Sequence, residues 1–442
     1  MIVDTVFPRL PAIFALTISF LTSAHAGNAT WDQAPTSGDW NTAGNWTPST
    51  VPDGPTDIAA FGTSVQTSVS LSQPIAIGAI IFNAGASAYT ITYETNFVFD
   101  GAGIINNSGF TQNIVIGPIA NPGVTFFNNS ASAGISTVFT NSGSILFNNT
   151  STAGQATFIN TAPLGGSTNF FNSSTAANAT FILGNGGSMM FNDTSTAANG
   201  TFSIGGVMGQ DAGGGNLYFF GNSSADHGTF TVSGNQFNNP DPVRGFVAFF
   251  QNSTASDAAI TANGSTVNGA LGGLIEFAGS STAANATLTA TGGSNGGLGG
   301  AIEFFEDADG GTSRIQLLGN GSLDVSVHNS PSVTVGSIEG SGHVFLGGNE
   351  LIVGGNGLST EFSGIIHDGG IGGGSGGSLA VLGTLTLSGA NTYSGNTFIN
   401  SGTLFVNNAA GSGTGTGTVH VNDGGMLGGV GKIAGRWMSE HR

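Results

Sequence analysis

A single pattern recurs eight times along the chain and leaves few folds open to it. The copies are FFNNSASAG (126–134), LFNNTSTAG (146–154), FFNSSTAAN (170–178), MFNDTSTAAN (190–199), FFGNSSADHG (219–228), FFQNSTASDA (249–258), EFAGSSTAAN (276–285) and EFFEDADGG (303–311). The Phe they share is taken as Phe127, Phe147, Phe171, Phe191, Phe220, Phe250, Phe277 and Phe304, 20 to 30 residues apart. A second β-like run follows each copy, such as ATF (179–181), GTF (200–202) and ATL (286–288). A unit this short cannot bury its own apolar face, but stacking it on the next copy can. Strands about 4.8 Å apart then pair between successive coils, and equivalent positions become columns of like side chains. The expectation is an all-β protein, a parallel β-helix. The competing reading is an antiparallel β-sandwich of the same composition.

The copies also indicate which side chains point inward. Successive residues of a strand face opposite ways. The residue before the shared Phe varies through Phe126, Leu146, Met190, Glu276 and Glu303, and an unpaired Glu is not buried, so this position faces water. The shared Phe then faces the core, with Ile145, Ile275 and Ile302 two residues earlier. In the second run the outward position is Thr157, Thr180, Thr201, Thr229, Thr287 and Arg314. Its inward partners are Phe139, Phe158, Phe181, Phe202, Phe230, Ile260, Leu288 and Ile315. Asn128, Asn148, Asn172 and Asn192 fall where the coil must turn, and Asn tolerates the left-handed conformation.

Composition agrees and excludes other classes. Gly accounts for 76 of 442 residues and Phe for 32, while Lys and Arg together number 6 against 24 Asp and Glu. A formal charge of −18 cannot neutralise a phosphate backbone, which excludes nucleic acid as a partner. With no Cys there are no disulfides, no thiol catalysis and no thiolate metal sites. Residues 1–26 read as a secretory signal peptide: Arg9, an apolar run from Leu10 to Leu21, then Ala24-His25-Ala26 before Gly27. No later stretch is long and apolar enough to form a transmembrane helix in the mature chain.

The remaining segments differ from the repeats. Residues 27–75 hold Trp31, Trp40 and Trp46 among several Pro, and read as a cap over the first open coil. The alternative for Trp40 and Trp46 is a glycan-contacting face. Residues 76–320 form the Phe/Asn-rich repeats, and 321–435 a Gly-rich continuation. Within 378–435 the run LTLSGANTYSGNTFINSGTLFVNN (385–408) resembles the autotransporter-associated β-strand repeat. The residues that carry the resemblance are Leu385, Thr386, Leu387, Ser388, Gly389, Asn391, Thr392, Tyr393, Gly395, Thr397, Gly402, Thr403 and Leu404. The resemblance implies a right-handed β-helix displayed outside a Gram-negative cell, usually non-enzymatic. No alternating strands of a translocating barrel follow, and residues 436–442 form an atypical basic tail. The expectation is a passenger rod, truncated or exported without its own barrel, that meets an extracellular glycan or protein.

Catalytic signals are sparse. The seven His are scattered and form no His-x-x-x-His pair. Glu303, Glu306, Asp307 and Asp309, with Arg314 close in sequence, form one acidic cluster with spacing that suits Ca²⁺, the candidate ligands being Glu306, Asp307 and Asp309, but it occupies a repeat turn where sister copies carry NNTSTAG. No cofactor is implied. The rival from another class is a polysaccharide-binding or polysaccharide-degrading β-helix. It needs a convergent charged groove, and six basic residues leave little to build one.

Overall fold

The structure, a computed structural model, describes residues 27–117, 123–161, 165–184, 186–209, 213–238, 243–329 and 332–439. The signal-peptide segment therefore lies outside the described residues. Within them the chain is a parallel β-helix of three sheets with no α-helix. The first and second sheets each hold 16 strands and the third holds 6. The neighbours of a strand come from the coils before and after it. Ser144–Phe147, for example, pairs in parallel with Val124–Phe127 on one side and Ser167–Phe170 on the other.

Parallel pairing in register puts like residues above like, and the core follows from this. On the first sheet the inward column runs Phe99, Phe127, Phe147, Phe170, Phe191, Phe219, Phe249, Phe277, Phe304. Its rings are 4.6–4.9 Å apart and 5–11° from parallel. The second sheet contributes Phe139, Phe158, Phe181, Phe202 and Phe230 at 4.5–5.0 Å. The two stacks meet edge to face at 5.8–6.0 Å, an arrangement favoured by ring quadrupoles.

Three of the expected core residues are corrected. Phe171, Phe220 and Phe250 are half-buried outside the strand, while Phe170, Phe219 and Phe249 are fully buried in the column. The reason lies in the turn. Two residues after each core Phe the backbone takes positive φ, at Asn129, Asn149, Asn172, Asp193, Gly221, Gln251, Gly279 and Glu306. With the left-handed residue at Asn172, the core position must be Phe170, and the second Phe of the pair is expelled to the outside. The same rule moves the left-handed position from Asn128, Asn148 and Asn192 to the next residue. The left-handed side chains also form a ladder. The amide of Asn129 donates to Asn149 Oδ1 at 3.0 Å, Asn149 to Asn172 Oδ1 at 2.9 Å, and Asn172 to Asp193 Oδ2 at 2.8 Å.

Each coil has a second left-handed residue, at Gly134, Gly154, Ala177, Ala198, Asp226, Ser256, Ala284 and Gly311. Just before it runs a column of single-residue parallel bridges through Ser132, Thr152, Thr175, Thr196, Ser224, Thr254, Thr282 and Asp309. From Ser332–Val335 onward this third side widens into the third sheet, so the Gly-rich continuation stacks on the repeats without a break.

The N-terminal segment closes the solenoid. Trp46–Thr47 pairs antiparallel with Ala29–Trp31 at the end of the first sheet, and Asp39 bridges Ser70 at the end of the second. Trp31, Trp40 and Trp46 are buried and pack edge to face at 4.9–5.0 Å. Their indole N–H groups donate to the carbonyls of Gln66, Pro52 and Trp40.

Two outcomes are expected. Phe170→Ala removes a buried ring and costs about 3–5 kcal/mol, whereas Phe171→Ala costs less than about 1 kcal/mol; paired thermal melts compare them, and equal losses would contradict the column. Ala284, with φ of 48°, has no side chain to offset its strain, so Ala284→Gly leaves stability unchanged or raises it by up to about 1 kcal/mol. A clear loss in the same melt would contradict the turn assignment.

Candidate functional site

The outward face of the first sheet carries the chain's main concentration of polar and aromatic groups. In-register pairing aligns one outward position through Met190, Tyr218, Ala248, Glu276, Glu303, Asp324, Phe345 and His367. The column beside it runs Asn216, Phe246, Leu274, Ala301, Ser322 and His343. Along this face lies an open groove of about 720 Å³ whose walls include Arg244, Glu303, Asp324, His343 and Phe345. Its size is that of a small-molecule or oligomer subsite.

Two loops wall the groove. One brings in Arg244, whose Nη2 donates to Glu303 Oε1 at 2.7 Å. That pair is largely buried, with side-chain exposures of 20% and 8%. The other loop, around Gly369–Gly377, folds back so that the Ile371 amide donates to Asp324 Oδ2 at 2.9 Å. Asp324 Oδ1 accepts from the Ser326 amide at 2.8 Å. The close approach requires Gly370: its φ is +105°, and a Cβ there would lie 2.6–2.8 Å from Ser326 Oγ and the Asp324 carboxylate.

Stacking carboxylates on successive coils sets their protonation. Burial, and then the charge of Glu303, push Glu276 up to about 7, against which Arg244 acts in the opposite sense. Burial also raises Glu303, and Arg244 pulls it back only in part. Tyr218 is raised by burial and by the nearby Glu276. At the far end His343 Nδ1 and His367 Nε2 lie 3.0 Å apart, and burial with the neighbouring His343 lowers His367. The groove thus holds hydrogen-bond donors, acceptors and ring faces together.

The residues singled out from sequence lie elsewhere. Trp40 and Trp46 are enclosed in the cap, so they present no face to a glycan. In the acidic cluster, Glu306 Oε2 accepts the Gly279 amide at 2.7 Å as a rung of the turn ladder. Asp309 accepts the amides of Thr334 and Gly311, and Asp307 is exposed. These carboxylates serve backbone N–H groups and do not converge on a Ca²⁺ position; among the described residues no group of three metal-ligating side chains forms. Arg314 sits on the second sheet, bound to Glu339 at 2.6 Å. Glu303, expected to face open water, lines the groove instead and is buried because Arg244 covers it, while Glu276 is half-buried on the adjoining coil. Arg244 and Asp324 were missed. The recoverable signal was the carboxylates at 276 and 303, equivalent positions of adjacent copies.

Toward the C-terminus, Asn391 and Tyr393 act structurally. Asn391 Oδ1 accepts the Ile366 amide at 2.8 Å and its Nδ2 donates to the Gly413 carbonyl at 2.6 Å, tying three coils together. Tyr393 is fully buried with its hydroxyl on Thr397 Oγ1. The fold is a β-solenoid whose last coils these motif residues hold together. The profile of the passenger-associated-transport-repeat family matches residues 382–406, so the chain carries an autotransporter passenger-associated repeat. The repeat implies secretion or surface exposure in Gram-negative bacteria. No curated protein and no solved structure matches the chain. Among the described residues no helix is long and apolar enough to cross a membrane.

The shifted carboxyl has a signed consequence. Glu276 sits near 7 when folded against an ordinary 4.5, so between these values the folded state binds more protons than the unfolded one. Its contribution is fully present below pH 4.5 and is lost as pH rises through 7. Thermal melts across this range should show Glu276→Gln gaining on the parent chain as pH rises. Parallel pH profiles for the two would contradict the assignment.

Proposed function

We propose that the chain is a non-enzymatic passenger rod, secreted or exposed at the surface of a Gram-negative cell, with a structural or adhesin-like role. The observation that supports this best is the uninterrupted stack. The second sheet alone has 16 strands, which at about 4.8 Å per step gives a rod of roughly 70 Å. Its core is continuous from Trp31 to Val421. A fold of this kind holds its surface loops in fixed positions along one axis, which is what presentation to an external partner requires.

A second reading, a polysaccharide-degrading β-helix, draws on the groove. Two carboxylates on adjacent coils, one near neutral pKa and one paired with Arg244, are groups that acid–base chemistry uses. In the rod they serve as binding groups. Protease treatment of intact producing cells, with electron microscopy of the purified chain, tests the rod. The expected result is cleavage from outside the cell and rods roughly 70 Å long. Protection inside the cell, or release of new reducing ends from a polysaccharide panel, would contradict it.

A further inference from the structure

We infer that the outer face of the first sheet, from the rings of Tyr218, Phe220 and Phe250 to the groove at Glu303 and Asp324, is a binding site for an uncharged glycan, which names the ligand class of the rod proposed above and rests on that reading. Sugar rings would lie on the faces of Tyr218, Phe220 and Phe250, with hydroxyls donating to Glu276 and Asp324 and accepting from Arg244.

The aromatic residues are the first support. The position after each core Phe is Asn128, Asn148 or Asn192 in some coils, Ala278 in another and Phe171 or Phe305 in two more, so the turn accepts an aromatic there without needing one. Beside the groove it is Phe220 and Phe250, both half-exposed, with ring centroids 5.2 Å apart and 14° from parallel. Tyr218 lies 5.8 Å from Phe220 and 6.4 Å from Phe250, completing a platform of three rings. Ala248 and Ala278 on adjoining rungs are small and buried, so no bulky side chain stands between the rings and the carboxylates. Ring faces beside placed polar groups are the surface that a pyranose, apolar on its C–H face and polar at its rim, complements.

Charge and geometry select among ligands. Glu276, Glu303 and Asp324 face a single Arg244 in a chain of charge −18, so an acidic glycan is repelled. Glu303 is already neutralised by Arg244, and Asp324 already accepts two amides. Amide hydrogen bonds leave the charge of Asp324 in place, so a cationic peptide is the rival ligand. No strand edge is open to β-addition: the strands from Asn216–Phe219 to His343–Phe345 are paired on both sides, and the outer edge of Ile365–His367, the last strand of the sheet, is hydrogen-bonded to Asn391 and Thr392. From Tyr218 to His367 the outward column crosses seven rungs, roughly 30 Å at about 4.8 Å per step, which suits an extended oligomer.

The test is binding of the full chain to immobilised cellohexaose, xylohexaose and mannohexaose, with hexagalacturonate and a Lys-rich peptide as charged comparisons. The variants are Phe220→Asn/Phe250→Asn, using the residue that sister coils tolerate, and Glu276→Gln. The expected result is binding of at least one neutral hexaose and none of hexagalacturonate. The double Asn variant should lose ten-fold or more with its melting temperature kept, and Glu276→Gln should lose less. Failure of all three neutral hexaoses, preference for the acidic glycan or the peptide, or undiminished binding by a folded double Asn variant would overturn the site while leaving the rod intact. Binding accompanied by cleavage of the oligosaccharide would uphold the site and overturn the non-enzymatic reading.

Discussion

The structure rests on backbone hydrogen bonding between successive coils. Once each coil pairs in parallel with the next, the strand spacing of about 4.8 Å becomes the spacing of equivalent side chains. A residue type that stacks well on itself is then favoured at every repeat. Phe does so in the core, with rings 4.5–5.0 Å apart in two columns. Asn does so at the corner, where one side chain accepts the amide of the coil before it. Each stack adds dispersion and quadrupole attraction of about 0.5–1.5 kcal/mol per ring pair beyond burial. Register is held because a shift of one residue would turn a whole column outward.

The same constraint builds the groove. Coils may differ in length so long as the extra residues leave the stack as loops, and the coils between 191 and 304 are the long ones. Their loops cover the outer face of the first sheet and carry Arg244 onto Glu303, 59 residues later. Stacking also forces like charges together: Glu276, Glu303 and Asp324 occupy one column because their coils are in register. The upward shift of Glu276 comes first from its burial and then from the charge of Glu303 in the same column.

Much of this was legible in the sequence, and the gaps have physical causes. The repeat, the parallel helix, the inward second-run column and the buried Trp cluster all follow from periodicity and from the need to close an open coil. The Phe pairs at 170–171, 219–220 and 249–250 misled because either ring satisfies an apolar pattern. Counting back from the small Ser/Thr-Ala step, such as Thr175-Ala176, would have chosen Phe170, since the turn between them is constant. Arg244 was not legible, because its partner is set by how a long loop folds across two coils. The acidic run at 306–309 misled for the opposite reason, as its carboxylates take the turn-ladder and amide-capping roles that Asn and Thr fill in sister coils. The motif residues Asn391 and Tyr393 owe their place to hydrogen bonding between coils and to core packing.

In-register parallel stacking is tested most directly by distances along one column. The chain has no Cys, so spin labels can be placed in pairs, at Thr157 with Thr229 and at Thr157 with Thr287, positions that share one outward column of the second sheet. Between backbones, the account predicts a Thr157–Thr229 separation of roughly 14 Å and a Thr157–Thr287 separation of roughly 24 Å, each coil adding about 4.8 Å whatever its length in residues. Dipolar spectra that give separations scaling with sequence distance instead, or broad distributions with no fixed increment per coil, would contradict it.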